Sequence, residues 1–150
     1  MRLKACSMVA LSMCWASPAL CADWWMVAAA DDVVTFVDRD RVADADGGKS
    51  AWVLNIFKHK RLKNLSYMQL QTLFSCSDKT VERKYESFYS YNGELLFEGT
   101  PPNRHAEPAI PDTQDDYALK FVCGEQAPLT PLRAGNVMVS DLVTKFAFRP

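Results

Sequence analysis

Few side chains in this sequence have the types and spacing that catalysis or metal binding requires. The two histidines, His59 and His105, lie far apart on predicted loops, and no His-Glu-x-x-His, Gly-x-Ser-x-Gly or glycine-rich phosphate motif is present. Segment Asp44–Gly47 carries two aspartates at calcium-loop spacing, but Val42 and Val53 occupy the first and last ligand positions of such a loop. The sequence therefore predicts no catalytic residue, no cofactor and no metal site.

One cluster of positive charge offers binding chemistry instead. Lys58, Lys60, Arg61 and Lys63 fall within six residues, at the predicted tip of a hairpin. Such a cluster can bind an anion, for example a polysaccharide sulfate, a lipid headgroup or an acidic protein patch. The alternative is a solvated turn whose lysines keep the sheet edge from pairing with neighbours. The whole chain has 17 Lys and Arg against 18 Asp and Glu, so its charge gives no argument for a nucleic-acid partner.

The first residues of the chain have the organisation of a secretory signal. Two basic residues, Arg2 and Lys4, precede an uncharged apolar run and then a stretch of small residues. We expect cleavage after Ala22, with cleavage after Ala19 as the alternative, so that residues 1–22 form a signal peptide. The apolar run is too short for the ~30 Å of a bilayer core, and no later segment is longer, so no transmembrane span is predicted.

The cysteine count changes when the signal peptide is removed. Three of the five cysteines lie in residues 1–22, which leaves Cys76 and Cys123. An even pair in an exported chain predicts one disulfide, with two buried free thiols as the alternative. The pair lacks Cys-x-x-Cys spacing, so we interpret it as structural and not redox-active. Lipid attachment at Cys21 is a further alternative, although Pro18 stands where a lipoprotein signal has leucine.

The stretch from Ser50 to Phe97 is predicted to form an antiparallel meander. Apolar and polar residues alternate from Tyr67 to Cys76, which is typical of a strand with one buried face. The corresponding apolar residues are Trp52, Leu54 and Ile56 in the strand before it. In the strand after it they are Val81, Tyr85, Tyr89 and Tyr91, which are expected on one face.

Two short N-terminal strands and a closing hairpin complete the predicted sheet. Trp24–Ala30 and Val33–Asp38 are apolar segments separated by the turn residues Asp31 and Asp32. Asn92-Gly93 has the composition of a type I′ turn and leads into a last strand at residues 94–98. The predicted sheet therefore has six antiparallel strands.

One helix is predicted after the sheet. Thr113 and Asp116 have the spacing of a capping box, and Gly124 is placed to end the helix, so the helix is expected at Gln114–Cys123. The predicted fold class is α+β: a six-stranded antiparallel sheet with one α-helix packed on a face, preceded by a cleaved signal peptide. The apolar stripe assigned to the helix is Tyr117, Ala118, Phe121 and Val122.

Residues 23–124 form the predicted domain, and residues 125–150 form a C-terminal tail whose segment 137–148 has neither clear strand nor clear helix periodicity. Tyr85, Tyr89 and Tyr91 are interpreted as core on one sheet face, with an aromatic binding surface as the alternative. Phe57 and Phe88 point to the opposite sides of their strands from the neighbouring apolar residues. Apolar residues on both faces indicate that the second face is covered by the tail or by a partner subunit in a homodimer.

These residues bring the chain close to a known family. It resembles the surface-adhesin protein E family of Gram-negative bacteria over residues 24–124. The resemblance implies a six-stranded sheet with one helix, a cell-envelope location, adhesion to host proteins such as vitronectin, laminin and plasminogen, and dimer formation. Ser75 departs from an acidic residue common in the family, and the tail has no counterpart. The residues that carry the resemblance are Trp24, Phe36-Val37-Asp38, Trp52-Val53-Leu54, Tyr67, Cys76, Arg83, Gly93, Pro111-Asp112-Thr113 and Val122-Cys123.

The sequence thus predicts a non-catalytic exported protein of the cell envelope, located in the periplasm or on the outer-membrane surface of a Gram-negative bacterium. Its expected partner is a protein, either a host extracellular-matrix protein or an envelope protein. No host-ligand motif of the family is matched residue by residue, so the resemblance assigns no binding residue. The alternatives are a periplasmic structural or interaction component without a host ligand and a metal-handling or enzymatic envelope protein.

Overall fold

Strands dominate the part of the chain that the structure describes. The computed structural model describes residues 22–58, 64–129, 133–134 and 138–147. The helical elements there are a 3₁₀ turn at Arg39–Arg41, helix α1 (Gln114–Val122) and helix α2 (Val139–Phe146). The strands are β1 (Trp24–Ala29), β2 (Val33–Asp38), β3 (Ala43–Ala45), β4 (Gly48–Phe57), β5 (Leu65–Ser75), β6 (Thr80–Ser90), β7 (Leu95–Gly99), β8 (Glu107–Pro108) and β9 (Arg133–Ala134).

All of these strands belong to one antiparallel sheet. The strand order is β7-β6-β5-β4-β2-β1-β9, with β3 paired to β4 and β8 paired to β6. The predicted α+β class, the antiparallel sheet and the helix on one face are confirmed. The six predicted strands correspond to β1, β2, β4, β5, β6 and β7. The additional strands β3, β8 and β9 have only two or three residues each, too few for a periodic pattern to show.

The main core lies between the sheet and α1, on the side that we call the α1 face. Leu70 and Phe74 of β5 are buried there as their alternation predicts, and Leu119 of α1 is buried in the same core. Burial of these apolar side chains at about 25 cal/mol per Å² is the main stabilising contribution to the fold. The buried members of this core are Val27, Val37, Ala51, Val53, Leu70, Phe74, Val81, Ala118, Leu119 and Val122.

The capping interactions of α1 are close to the prediction. The hydroxyl of Thr113 accepts a hydrogen bond from the Asp116 amide at 3.4 Å, and Gly124 ends the helix with a φ of +77°. The Asp116 carboxylate accepts from the Asp112 amide at 3.0 Å and not, as predicted, from Thr113. The assignment of Tyr117 to the buried stripe is wrong: this residue is half-buried, and its ring lies 5.8 Å from the ammonium group of Lys120.

The opposite side of the sheet, the α2 face, is only partly covered by the C-terminal segment. Leu142 of α2 is buried against it, and the rings of Phe36 and Phe146 lie 5.6 Å apart. The prediction that the tail or a partner subunit covers the face of Phe57 and Phe88 is wrong for Phe88, which packs against the core of the α1 face. The chain's own tail instead covers the opposite face, over β1, β2 and β4. We call this half the covered half; its buried sheet residues are Trp24, Met26, Val34, Phe36, Leu54 and Ile56.

A bulge in β6 changes which residues share a face. Thr72 of β5 pairs with Arg83 and Gln71 pairs with Tyr85, so Lys84 is an extra residue between them. Such a bulge reverses the alternation of side chains along the strand. The prediction that Val81 and Tyr85 share a face is therefore wrong: Val81 is buried on the α1 face, whereas Tyr85 lies on the α2 face beside Trp52.

The turn between β6 and β7 also differs in type from the prediction. The Gly93 amide donates to the Ser90 carbonyl at 3.0 Å, and the Ser90 amide donates to the Glu94 carbonyl at 2.9 Å. Gly93 has a φ of +78°, but Asn92 does not have a positive φ. A type I′ turn needs positive φ at both central residues, so this hairpin instead follows the pattern of a longer turn that ends in a left-handed glycine.

Neither α-helix in the described part of the chain is long and apolar enough to span a membrane.

Candidate binding surface

The two cysteines predicted to pair form a disulfide. Cys76 and Cys123 are joined with Cα atoms 5.7 Å apart. Cys76 follows β5, and Cys123 is the residue after α1, so the bond attaches the helix to the turn between β5 and β6. In the chain-entropy model, closing the intervening loop of 47 residues stabilises the fold by about 4 kcal/mol. The predicted structural role of this pair is consistent with its place between the two layers.

The predicted basic cluster lies mainly outside the described residues. Lys60, Arg61 and Lys63 belong to segment 59–63, which the structure does not describe, so an anion-binding role stays a prediction. Lys58 is described, and its ammonium group donates to the Ala30 carbonyl at 2.6 Å. Its backbone amide also donates to the Asp32 carbonyl at 2.8 Å. Lys58 therefore ties the end of β4 to the turn between β1 and β2.

The candidate metal ligands have other partners. The imidazole of His105 is exposed and lies 3.1 Å from the Glu107 carboxylate. Asp44 accepts a hydrogen bond from Lys49 at 2.7 Å, and this bond together with the charge of Lys49 lowers the pKa of the Asp44 carboxyl. Within the described ranges, no group of three or more His, Cys, Asp or Glu residues is placed to hold a metal ion. His59 lies outside them.

Aromatic and amide side chains line the part of the α2 face that α2 leaves open. This surface, which we call the aromatic face, runs across β4, β5 and β6. The rings of Tyr67 and Tyr89 are stacked with centroids 4.6 Å apart, and Trp52 meets Tyr85 edge-on at 6.4 Å. Its residues are all half-buried, so the prediction that Tyr85 and Tyr89 are core is wrong. The residues of the aromatic face are Trp52, Tyr67, Gln69, Gln71, Tyr85 and Tyr89.

The hydroxyl groups of Tyr67 and Tyr85 keep their protons at physiological pH. Burial raises the pKa of Tyr67, and the neighbouring Tyr89 raises it further. Partial desolvation also raises the pKa of Tyr85, as does its hydrogen bond to Glu98, to which the hydroxyl donates at 3.2 Å. Neutral phenols and glutamine amides are both donors and acceptors. The aromatic face therefore offers hydrogen bonds and ring surfaces without a charge of its own.

The aromatic face ends at β7, the edge strand of the sheet. In the described part of the chain, β7 pairs only with β6, so its outer backbone groups face no other strand. Leu95, Leu96 and Phe97 are 47%, 44% and 43% exposed. Leu96 is an extra residue between the pairs Phe88–Phe97 and Tyr89–Leu95, so it forms a bulge in the edge. Three consecutive exposed apolar residues on a sheet edge favour association with another chain.

Sequence reasoning missed β7 as a candidate site, although a signal was present. Leu95-Leu96-Phe97 is a run of large apolar residues in the last long strand before Pro101 and Pro102. Because proline cannot donate to a β-ladder, a strand that precedes two prolines often lies at an edge. The tyrosines were misassigned for a different reason. The alternation of side chains along a strand cannot show that α2 covers only one half of the α2 face.

The fold and this surface define a class: a small disulfide-bonded α+β protein whose described residues leave one sheet edge and an uncharged aromatic face exposed. The family model of the surface-adhesin protein E matches residues 24–124, about two-thirds of the chain. The chain belongs to the surface-adhesin protein E family, which confirms the resemblance noted in its residues.

The chain is similar to a solved structure of protein E of Haemophilus influenzae in its selenomethionine form, with 12% identity and a TM-score of 0.40. The match covers 67% of this chain and 92% of the Haemophilus chain. No curated protein sequence matches the chain.

Proposed function

We propose that this protein is a non-catalytic, exported adhesin-like protein that binds a protein ligand through β7 and the adjoining aromatic face. One observation carries the proposal: the three consecutive apolar residues at 43–47% exposure on a sheet edge that pairs with no further strand among the described residues. Membership in the surface-adhesin protein E family supports binding as the activity and the cell surface as the place. The expected ligand class is a host extracellular-matrix protein.

The mode of binding that this edge favours is strand addition. An extended segment of the ligand would pair with the outer backbone groups of β7, and its side chains would contact Leu95 and Phe97. Backbone pairing supplies affinity in this mode, and pockets beside the edge supply specificity. Tyr85 and Tyr89 lie on β6 directly beside β7, so they are placed to add aromatic contacts and hydrogen bonds.

The family and the residue chemistry both support binding without catalysis. The surface consists of phenols, amides and apolar side chains, and the neighbouring carboxylate of Glu98 accepts a hydrogen bond from Tyr85. A catalytic site would need a nucleophile with a base at hydrogen-bonding distance or a general acid–base pair with separated pKa values. The described side chains of this surface include neither arrangement.

Binding to immobilised vitronectin and laminin tests the proposal. The variant Leu96→Lys places a charge on the bulge of the edge strand, and we expect it to weaken binding at least about tenfold. Its unfolding free energy should change by less than about 0.5 kcal/mol because the side chain is exposed. Ile110→Lys is the matched control, since Ile110 is 66% exposed and lies next to β8, which pairs with the other end of β6. Equal binding by both variants would contradict the proposal.

Location and self-association are tested separately. We expect protease treatment of intact cells to remove the protein while a periplasmic marker survives; protection until the outer membrane is opened would favour a periplasmic interaction component instead. A homodimer could occupy the same edge through β7 of a second copy. Sedimentation at tens of micromolar should then show a dimer for the natural chain and a monomer for Leu96→Lys.

A further inference from the structure

The start of β1 encloses a buried carboxylate whose closest partner is a backbone nitrogen. Asp38 ends β2 and is 0% exposed. Its Oδ1 accepts a hydrogen bond from the backbone nitrogen of Asp23 at 3.1 Å, and this bond is buried. Its Oδ2 has no hydrogen-bond partner in the described structure, and the nearest charge to it is the half-exposed guanidinium of Arg41 at 3.4 Å.

The neighbouring groups hold the Asp23 backbone at this position. The Asp23 carbonyl accepts a hydrogen bond from the Arg39 amide at 2.9 Å, and Oδ2 of the Asp23 side chain accepts one from the Trp25 indole at 2.9 Å. Asp23 is itself 8% exposed, and Trp24 is paired with Asp38 in the sheet. The nitrogen of Asp23 is therefore fixed inside the protein, at hydrogen-bonding distance from the carboxylate.

A buried carboxylate is costly when its countercharge is incomplete. Burial raises the pKa of Asp38, and the charge of Asp40 raises it further; the Asp23 amide, the charge of Arg41 and the Asp40 amide partly lower it. An amide neutralises no charge, whereas an ammonium group at the same position would form a buried ion pair with the carboxylate. Whether the Asp23 nitrogen is an amide or an ammonium group depends on the peptide bond between Ala22 and Asp23.

We propose that the signal peptide is cut between Ala22 and Asp23, and that the new α-ammonium group of Asp23 forms a buried ion pair with Asp38. This inference rests on the proposed export of the chain. Hydrolysis of the Ala22–Asp23 bond adds one water, leaves the carboxylate on Ala22 and frees the amine on Asp23, which is protonated near neutral pH. Since the site is buried in the folded protein, the cut occurs before folding, while the chain is being exported.

The ion pair makes the stability of the fold depend on cleavage of the signal peptide. In a chain that retains residues 1–22, the Asp38 carboxylate has the Asp23 amide and the half-exposed guanidinium of Arg41 as partners, and in a processed chain a buried ammonium group takes the place of the amide. Loss of one partner of a buried pair is strongly destabilising because the other charge stays buried. The precursor is thus less stable than the mature protein, which favours an unfolded chain before export and a stable one after it.

Intact mass of the protein isolated from the cell envelope is the first test. A mass that begins at Asp23 supports the proposal. A mass that begins at Leu20, from cleavage after Ala19, overturns it, and so does a lipid-modified Cys21, because both leave an amide at Asp23.

A stability comparison tests the ion pair itself. Retaining Ala22 as the N-terminal residue moves the ammonium group by one residue and should lower the melting temperature by about 10 °C. The same extension in the Asp38→Asn variant should lower the melting temperature far less, because the neutral side chain gains little from an ammonium group. An equal loss in both backgrounds would overturn the proposal.

Amine labelling covers the case in which Asp38→Asn does not fold. An ordinary α-amine reacts faster than lysine at neutral pH because its pKa is lower. In the folded mature protein we expect the Asp23 amine to react at least about tenfold more slowly than the lysines, and this order should reverse in denaturant. Preferential labelling of the Asp23 amine in the folded state would contradict the buried pair.

Discussion

The two halves of the α2 face differ in composition and in what covers them. In the covered half, residues such as Phe36, Leu54 and Ile56 are fully buried beneath α2. In the open half, Tyr67 and Tyr89 are half-buried, and every ring except that of Trp52 carries a hydroxyl group. Aromatic side chains with polar tips suit a surface that is partly wet, because the ring can pack while the tip stays hydrated. One strand, β4, contributes to both halves.

The difference shows that the role of a position on the α2 face depends on whether α2 covers it, and not on the strand to which it belongs. Residues of the covered half contribute to stability, since removal of their side chains leaves a cavity. Residues of the open half are only half-buried, so we expect them to contribute less to folding, and our proposal assigns their exposed ring surface to ligand binding. Substitutions should therefore separate stability from binding along the same sheet.

Phe36→Ala should have the largest effect on stability. Phe36 is 0% exposed and contacts Phe146, so its truncation removes buried area and leaves a cavity, and we expect a loss of about 3–5 kcal/mol in the free energy of unfolding. Urea denaturation of the purified variant measures it. A loss below about 1 kcal/mol would show that the covered half is not a core.

Leu142→Ala should destabilise the protein by about 2–4 kcal/mol, since Leu142 is the one buried residue on α2. The effect should be local: amide hydrogen exchange should accelerate in α2 and in the strands beneath it, and much less in β5 and β6. Met138→Ala is the matched control, because Met138 precedes α2 and is 70% exposed. Uniform acceleration across the sheet would contradict a local cover.

Much of this architecture could be predicted from the residues, because period-two alternation and cap chemistry are local. Leu70 and Phe74 alternate in the sequence and are buried together, and Thr113 and Gly124 mark the two ends of α1. The disulfide could be predicted from the number of cysteines outside the predicted signal peptide. Each of these features depends on neighbours in sequence or on a simple count.

The open surface could not be predicted, because it depends on contacts between distant segments. The bulge at Lys84 places Tyr85 and Val81 on opposite faces, and the sequence around it has no glycine or proline to mark it. The extent of the cover depends on where α2 packs, and α2 has only eight residues with no side-chain cap. Strand order, and with it the exposure of Leu96, is likewise a property of the whole sheet.

Tyr89→Ala should separate the contribution to stability from the contribution to ligand binding. Loss of its stacking with Tyr67 should cost about 0.5–1.5 kcal/mol in the free energy of unfolding, well below the effect of Phe36→Ala. Binding to immobilised laminin or vitronectin should fall at least about tenfold, because aromatic anchors dominate protein interfaces. Natural affinity in a folded Tyr89→Ala variant would remove the aromatic face from the proposed site and leave only β7.

Tyr85→Phe should have the smallest effect and is the sharpest test of the polar tips. The substitution keeps the ring against Trp52 and removes only the hydroxyl that donates to Glu98. Because this bond is exposed, we expect a change of less than about 0.5 kcal/mol in the free energy of unfolding. Ligand binding should weaken by about threefold to tenfold if the hydroxyl or the carboxylate it orients contacts the ligand. Unchanged binding together with a loss in Tyr85→Ala would show that the open half binds through its ring surfaces alone.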